Sequence, residues 1–263
     1  MIIKSPSRAV ILSLLFSALS LGVMAQKAKQ EFYEIKIYKL KDKVQGDRVE
    51  AFLKNAYLPA LHQVGIKNIG VFKPEDTDTT AGKRIYVLVP YISMEQFLNT
   101  PELLAADKQY AINGKDYIDA VYSQPPYERI ESILLRAFTG MPRMEMPVLT
   151  TPRSERVYEL RSYESASEKI YKNKVQMFNL GDEVGLFKQL GFNAVFYADV
   201  IIGNRMPNLM YMTTFANRAS REEHWKAFRE APQWKQLSAM EEYQHNVSKV
   251  NIFFIRPTEY SDY

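Results

Sequence analysis

Apolar and polar residues alternate in two well-separated stretches, Phe32-Tyr33-Glu34-Ile35-Lys36-Ile37-Tyr38 and Val157-Tyr158-Glu159-Leu160-Arg161-Ser162-Tyr163. A period of two predicts a β-strand in each. After the first, Val49, Phe52, Leu53, Ala56, Tyr57, Ala60, Leu61 and Val64 recur at helical spacing, so a helix is expected over 47–64, ended by Gly65. Ile69 to Phe72, a polar turn over 74–82, and Arg84 to Pro90 read as a hairpin. Ser93-Met94-Glu95-Gln96 offers a capping box for a second helix, and Ser220-Arg221-Glu222-Glu223 offers the same pairing later in the chain. Ile130 to Phe138 and Val250 to Ile255 supply closing strands.

These elements repeat. Tyr33-Glu34 aligns with Tyr158-Glu159 at an offset of 125, Gln63-Val64-Gly65-Ile66 with Gln189-Leu190-Gly191-Phe192 at 126, and Ile85-Tyr86-Val87 with Met210-Tyr211-Met212 at 125. One β-α-β-β-α-β unit is therefore written twice. That order is the ferredoxin-like split βαβ unit, whose free sheet face needs a cover. The expected class is α+β, with two tandem ferredoxin-like modules forming an intrachain dimeric α/β barrel. The first module is expected over 26–138 and the second over 155–263, joined by a linker over 139–154 that carries Pro142, Pro147, Pro152 and three methionines. Alternation sets Glu34, Lys36 and Tyr38, and likewise Glu159, Arg161 and Tyr163, on one face of their strands. The expectation is that this charged face meets the opposed sheet while the aliphatic face packs beneath the helices.

Ahead of the repeat, Lys4 and Arg8 precede an apolar run from Ala9 to Val23 that ends in small residues before Gln26-Lys27. This reads as a signal peptide cleaved after Ala25, hence export to a periplasmic or secreted location, with no membrane partner after cleavage. The chain has no cysteine, which removes disulfides, thiolate nucleophiles and cysteine metal sites and leaves stability to packing; an aromatic content of 13% makes that feasible. The net charge of +4, half of it from Lys4 and Arg8, supplies no basic stripe and argues against nucleic acid.

Tyr158-Glu159-Leu160-Arg161-Ser162-Tyr163 resembles the opening strand of the NIPSNAP family. Leu190-Gly191-Phe192, the helix Arg221 to Phe228 and Ala231-Pro232-Gln233-Trp234 extend the resemblance over roughly 156–256. The first module is a divergent relative, with Ile35 and Lys36 for Leu and Arg and no tryptophan near Phe97 or Pro101. The resemblance implies a dimeric α/β barrel, a shape shared with antibiotic-biosynthesis monooxygenases and chlorite dismutase-like haem proteins, and no single reaction.

Glu159, Arg161 and Tyr163 are candidates for a polar ligand site, Arg161 holding an anion and Tyr163 exchanging a proton; the competing reading is a structural ion-pair network. His224 beside Trp225 is a conceivable acid, base or haem ligand, or else part of a helix packed through Trp225 and Phe228. Trp234 with Pro232 is a pocket wall or ordinary core. His62, His224 and His245 are scattered, and Asp76 with Asp78 lacks the spacing of a calcium loop, so neither a metal nor a resident cofactor is expected. No phosphate loop, nucleophile elbow or His-Glu-x-x-His helix occurs. The expected function is binding of a small molecule or protein partner, with a cofactor-independent monooxygenase or related small-molecule enzyme as the alternative. Exposed sheet edges or helix faces leave room for a homo-oligomer.

Overall fold

The computed structural model describes residues 28–263. The expected signal peptide, residues 1–25, lies outside the described residues. The first half supplies β1 (Phe32–Lys39), α1 (Lys43–Phe52) running through a π-helical turn (Leu53–Tyr57) into α2 (Leu58–Gln63), β2 (Gly70–Pro74), β3 (Arg84–Tyr91), α3 (Met94–Ala106), α4 (Lys108–Asn113), α5 (Lys115–Ile118) and β4 (Arg129–Ala137). The second half supplies β5 (Val157–Glu164), α6 (Glu168–Asn179), α7 (Glu183–Gln189), β6 (Asn193–Ile202), β7 (Asn208–Phe215), α8 (Arg218–Glu230), α9 (Pro232–Ala239) and β8 (Lys249–Pro257). Gly65 and Gly191 end the first helical layer of each half with positive φ (84° and 77°), a backbone state that favours glycine, at matching positions of the repeat.

The eight strands close into one antiparallel barrel in the order β1-β3-β2-β8-β5-β7-β6-β4. Each half contributes a four-stranded ferredoxin-like sheet, and the halves join edge to edge through β2 with β8 and β4 with β6. Every strand has two neighbours, so the exposed sheet edges expected for a homo-oligomer are absent among the described residues; closure removes them.

The expected assignment of faces is inverted. Tyr33, Ile35, Ile37, Tyr158 and Leu160 point into the barrel and pack there with Phe72, Leu135, Phe196, Met212 and Ile255. Glu34, Lys36 and Tyr38, with Glu159, Arg161 and Tyr163, face the helices instead; Lys36 Nζ, for example, donates to the hydroxyl of Tyr57 at 3.0 Å and the indole of Trp225 donates to Glu159 at 3.1 Å. The physical reason is the size of the barrel. Eight strands enclose a bore whose middle is filled by apolar side chains and has no space for helix side chains that could pair a charge; a cavity of about 90 Å³ opens only toward the strand ends, beside the Lys39–Glu131 ion pair. The helix layer can provide such partners.

One barrel end is closed by the segment after β4. Met144 and Met146 pack on the interior cluster, and Glu145 N–H donates to the Val195 carbonyl at 3.0 Å. Tyr263 enters the same region, its ring 5.2 Å from Phe72. Ser93 caps α3 as expected, accepting from the backbone N–H of Gln96 at 3.1 Å. The cap of α8 is Asn217 rather than Ser220: its side chain accepts from Ser220 N–H at 2.9 Å, and Ser220 lies inside the first turn. Asn217 stands 124 positions after Ser93, so the two caps do match within the repeat.

Candidate functional site

β5 presents Glu159, Arg161 and Tyr163 on its helix-facing side, and α8 lies across them. Glu159 is fully buried and accepts four hydrogen bonds: from Arg161 Nε at 2.6 Å, Arg221 Nε at 2.7 Å, Arg221 Nη2 at 3.0 Å and Trp225 Nε1 at 3.1 Å. Burial pushes its carboxyl up, but the bonded guanidinium of Arg221 and that of Arg161 outweigh this and hold it below the ordinary carboxylate range. The Arg161 guanidinium lies 3.8 Å from the centre of the Trp225 ring, a cation–π contact, and donates through Nη1 to the Tyr163 hydroxyl at 2.9 Å. Tyr163 and Tyr211 share a hydrogen bond of 2.7 Å. Burial raises the Tyr211 hydroxyl well above the usual phenol range, so it stays protonated.

Tyr163 and Trp225 are also walls of a cavity of about 460 Å³ between the sheet and α6–α9, together with Phe187, Phe228 and Trp234. Trp234 packs on Phe228 with centroids 4.4 Å apart and the ring planes tilted by 37°. The polar groups reaching this cavity include Asn246, His245 and a buried ion pair, Lys174 Nζ to Glu183 Oε2 at 2.9 Å. Burial raises the Glu183 carboxyl, and Lys174 offsets part of that rise. The Lys174 ammonium also sits 4.6 Å from the Phe178 ring centre and 5.8 Å from that of Trp234. Arg161 is held behind the wall by its bonds to Tyr163 and its stacking on Trp225.

The structure thus brings Glu159, Arg161, Tyr163, Trp225 and Trp234 to one region. It does not bring His224 there. His224 Nδ1 lies 2.6 Å from the Ser220 carbonyl oxygen of its own helix, and its ring meets Phe192 and Phe215 edge-on, away from the cavity. His224 therefore does not fit an axial haem ligand of this cavity. Among the first-module counterparts, Glu34 and Lys36 border a cavity of their own, whereas Tyr38 is buried against Tyr117 and Tyr127 elsewhere. Arg221, Tyr211, Lys174 and Glu183 were not singled out from the sequence. Arg221 was within reach, since it precedes Trp225 by four residues and so shares its helix face. Lys174 and Glu183 sit on different helices and no local pattern links them. A further cavity of about 490 Å³ lies under the segment after β4, against Val184 and Phe192, and none of the sequence-derived candidates lines it. No group of three or more metal-binding side chains occurs among the described residues.

With this geometry in place, residues 158–262 match the NIPSNAP family model. No curated protein matches the chain. Among solved structures, a proposed monooxygenase from Lactobacillus acidophilus is similar at 12% identity and a TM-score of 0.56, over 87% of this chain and 94% of that one. Another proposed monooxygenase, from Fusobacterium nucleatum, is similar at 9% identity and a TM-score of 0.58, over 88% of this chain and 93% of that one. A NIPSNAP family protein from Agrobacterium tumefaciens covers 40% of this chain and 96% of its own, at 18% identity and a TM-score of 0.36. At these identities the two longer likenesses establish the fold, a dimeric α/β barrel contained in one chain.

Proposed function

We propose that this chain, whose second module is a NIPSNAP domain, is an exported protein that binds a small molecule in the sheet–helix cavity of that module. The observation that carries this reading is the cavity itself. Its volume of about 460 Å³ falls in the range of small-molecule sites, its walls are aromatic, and a few polar groups (Tyr163, Asn246, the Lys174–Glu183 pair) converge on it. Such a lining suits a flat, mostly apolar ligand with one or two polar atoms to meet Tyr163 or Asn246. Both tryptophans of the chain, Trp225 and Trp234, are cavity walls, so tryptophan emission reports occupancy directly. Titration with a panel of flat aromatic compounds is expected to shift or quench that emission saturably for at least one member, and Trp234→Ala is expected to weaken the binding. A panel that leaves the emission unchanged would sink the reading.

Export rests on Lys4, Arg8 and the apolar run Ala9 to Val23. Expression of the full chain in a bacterial host followed by N-terminal sequencing of the periplasmic or secreted fraction is expected to start at Gln26; an intact Met1 on cytoplasmic protein would refute it.

A second reading, a small-molecule enzyme of the monooxygenase type, draws on the meeting of Arg161, Tyr163 and Trp225 beside the cavity and on the fold shared with the two proposed monooxygenases. The position of His224 outside the cavity counts against it, and although His245 lines the same cavity, the Tyr163 hydroxyl is engaged by Arg161 and Tyr211 rather than by a histidine. Turnover of any compound found to bind, abolished by Arg161→Ala with the fold intact, would favour catalysis over binding.

A further inference from the structure

The two modules carry the same strand charges but different helices above them. In the second module Arg221 and Trp225 of α8 fill the space over Glu159 and Arg161. At the offset that relates the two caps, 124, their counterparts in α3 are Phe97 and Pro101. Neither can hydrogen-bond a carboxylate, and Pro101 is too short to cover the sheet. The space is open instead: a cavity of about 470 Å³ has Phe97, Pro101, Leu104, Tyr110 and Ile118 as apolar walls and Glu34, Lys36, Tyr57 and Tyr91 as polar floor.

Lys36 gives the floor donor capacity to spare. Glu34 is met by Ser132 Oγ at 2.7 Å and Tyr91 Oη at 3.3 Å, with Lys36 Nζ at 3.6 Å. Lys36 donates one hydrogen bond, to Tyr57 at 3.0 Å, and an ammonium has three donors. Burial raises the Tyr57 and Tyr91 hydroxyls, so both remain protonated. Lys36 and Glu34 balance each other in charge. A ligand carrying a charge of either sign would bring an uncompensated ion into an apolar enclosure, which is costly. An uncharged ligand with an acceptor oxygen satisfies Lys36 at no such cost.

We propose that the first module holds a second binding site, separate from that of the second module, for an uncharged molecule with an apolar body and a single carbonyl oxygen that accepts from Lys36. The site exists because Phe97 and Pro101 stand where the other module has the arginine and tryptophan that fill the equivalent space.

Isothermal calorimetry with 2-decanone, decanoate and decylamine on the mature protein tests this. The ketone is expected to bind, and the carboxylate and the amine to bind at least about tenfold more weakly, or not at all. Lys36→Met is expected to weaken the ketone by about tenfold, the loss of one hydrogen bond to a charged donor. Ala111→Trp, at an exposed position on the cavity rim, is expected to block it without touching the floor, and serves if Lys36→Met does not fold. Because both tryptophans lie in the second module, the ketone isotherm should leave native tryptophan emission unchanged. The proposal is overturned by an absence of ketone binding, by equal affinity for decanoate or decylamine, or by indifference to both substitutions. It is also overturned if the emission follows the isotherm, which would put the ligand in the second module and leave the reading of that module standing.

Discussion

Substituting Glu159 by alanine removes the acceptor that two guanidinium groups and an indole share. The side chains of Arg161 and Arg221 are only 10% and 12% exposed, so water replaces little of what is lost; Arg161 is left without an anionic partner and Arg221 keeps only the exposed Glu222. Breaking a buried ion pair from one side costs about 3–5 kcal/mol, because the remaining charge keeps its desolvation penalty without compensation. Against a typical domain stability of about 5–15 kcal/mol, that is about a fifth of the total or more. Urea unfolding at pH 7, followed by circular dichroism, should therefore show Glu159→Ala with a midpoint well below that of the parent and an unchanged slope. The origin of the loss can be separated from its size. If the cost is uncompensated charge, the triple substitution Glu159→Met, Arg161→Met, Arg221→Met should recover most of it, since apolar groups of similar volume need no partner. A loss below about 1 kcal/mol for Glu159→Ala, or a triple variant no more stable than the single one, would refute the reasoning. Glu34→Ala offers an internal comparison. Its hydrogen bonds come mainly from neutral hydroxyls and its nearest cation, Lys36, is 24% exposed, so a smaller loss of about 1–3 kcal/mol is expected.

The same carboxylate predicts a pH dependence. Its folded pKa is depressed, so its contribution is complete above the unfolded value near 4.5 and disappears as pH falls through the lower folded value. Stability measured from pH 6 down to pH 2.5 should fall across that window, and Glu159→Gln should flatten the fall; an equally steep profile in the variant would contradict the assignment. Lys174→Met leaves Glu183 buried without its cation, in a site that already raises the carboxyl. A raised folded pKa gives stability that is present below the unfolded value and lost as pH rises, so the variant, destabilised by about 3 kcal/mol at pH 7, should regain stability relative to the parent on moving to pH 4. Gly70→Ala would place a Cβ 2.3 Å from Cε2 of Phe72, a ring fully buried in the barrel, and should cost about 1–3 kcal/mol in thermal or urea unfolding; a neutral result would mean the interior is looser than its packing indicates.

The repeat and the order of elements along the chain could be read from the sequence because each depends on local pattern or on its recurrence. Tyr33-Glu34 and Tyr158-Glu159 mark the same strand twice, and Gly65 and Gly191 mark the same helix end. The faces could not be read this way. Alternation separates Glu159, Arg161 and Tyr163 from Tyr158 and Leu160, but it does not say which set points inward. That choice depends on closure of all eight strands, a property of the whole sheet, together with the partners that α8, 62 and 66 residues further along the chain, brings to Glu159. The cap of α8 was misplaced for a smaller reason: Ser220 and Asn217 are both good caps, and only the observed first turn selects Asn217. His224 lies outside the cavity because adjacency to Trp225 in sequence places the two about 100° apart around the helix, which is the arrangement of a helix packed through Trp225 and Phe228.

Closure also explains why the two modules could diverge where they did. The barrel bore is shared, and a change in Phe72, Tyr158 or Phe196 disturbs packing contributed by both halves. Each helix layer draws chiefly on one module: Val49, Leu53 and Leu61 pack over the first sheet, and Phe178, Phe187 and Trp225 over the second, with crossing contributions such as Tyr260 and Phe138. Substitutions there are felt within one module, so the arginine and tryptophan that neutralise and cover Glu159 could be absent above Glu34 without cost to the other half. Hydroxyls from Ser132 and Tyr91 then serve the carboxylate, and the uncovered volume becomes space for a ligand. A chimaera carrying Phe97→Arg and Pro101→Trp should reverse this. The new guanidinium and indole should close the first cavity over Glu34 and abolish ketone binding while raising stability. If ketone binding survives the pair of substitutions, the helix face is not what opened the cavity.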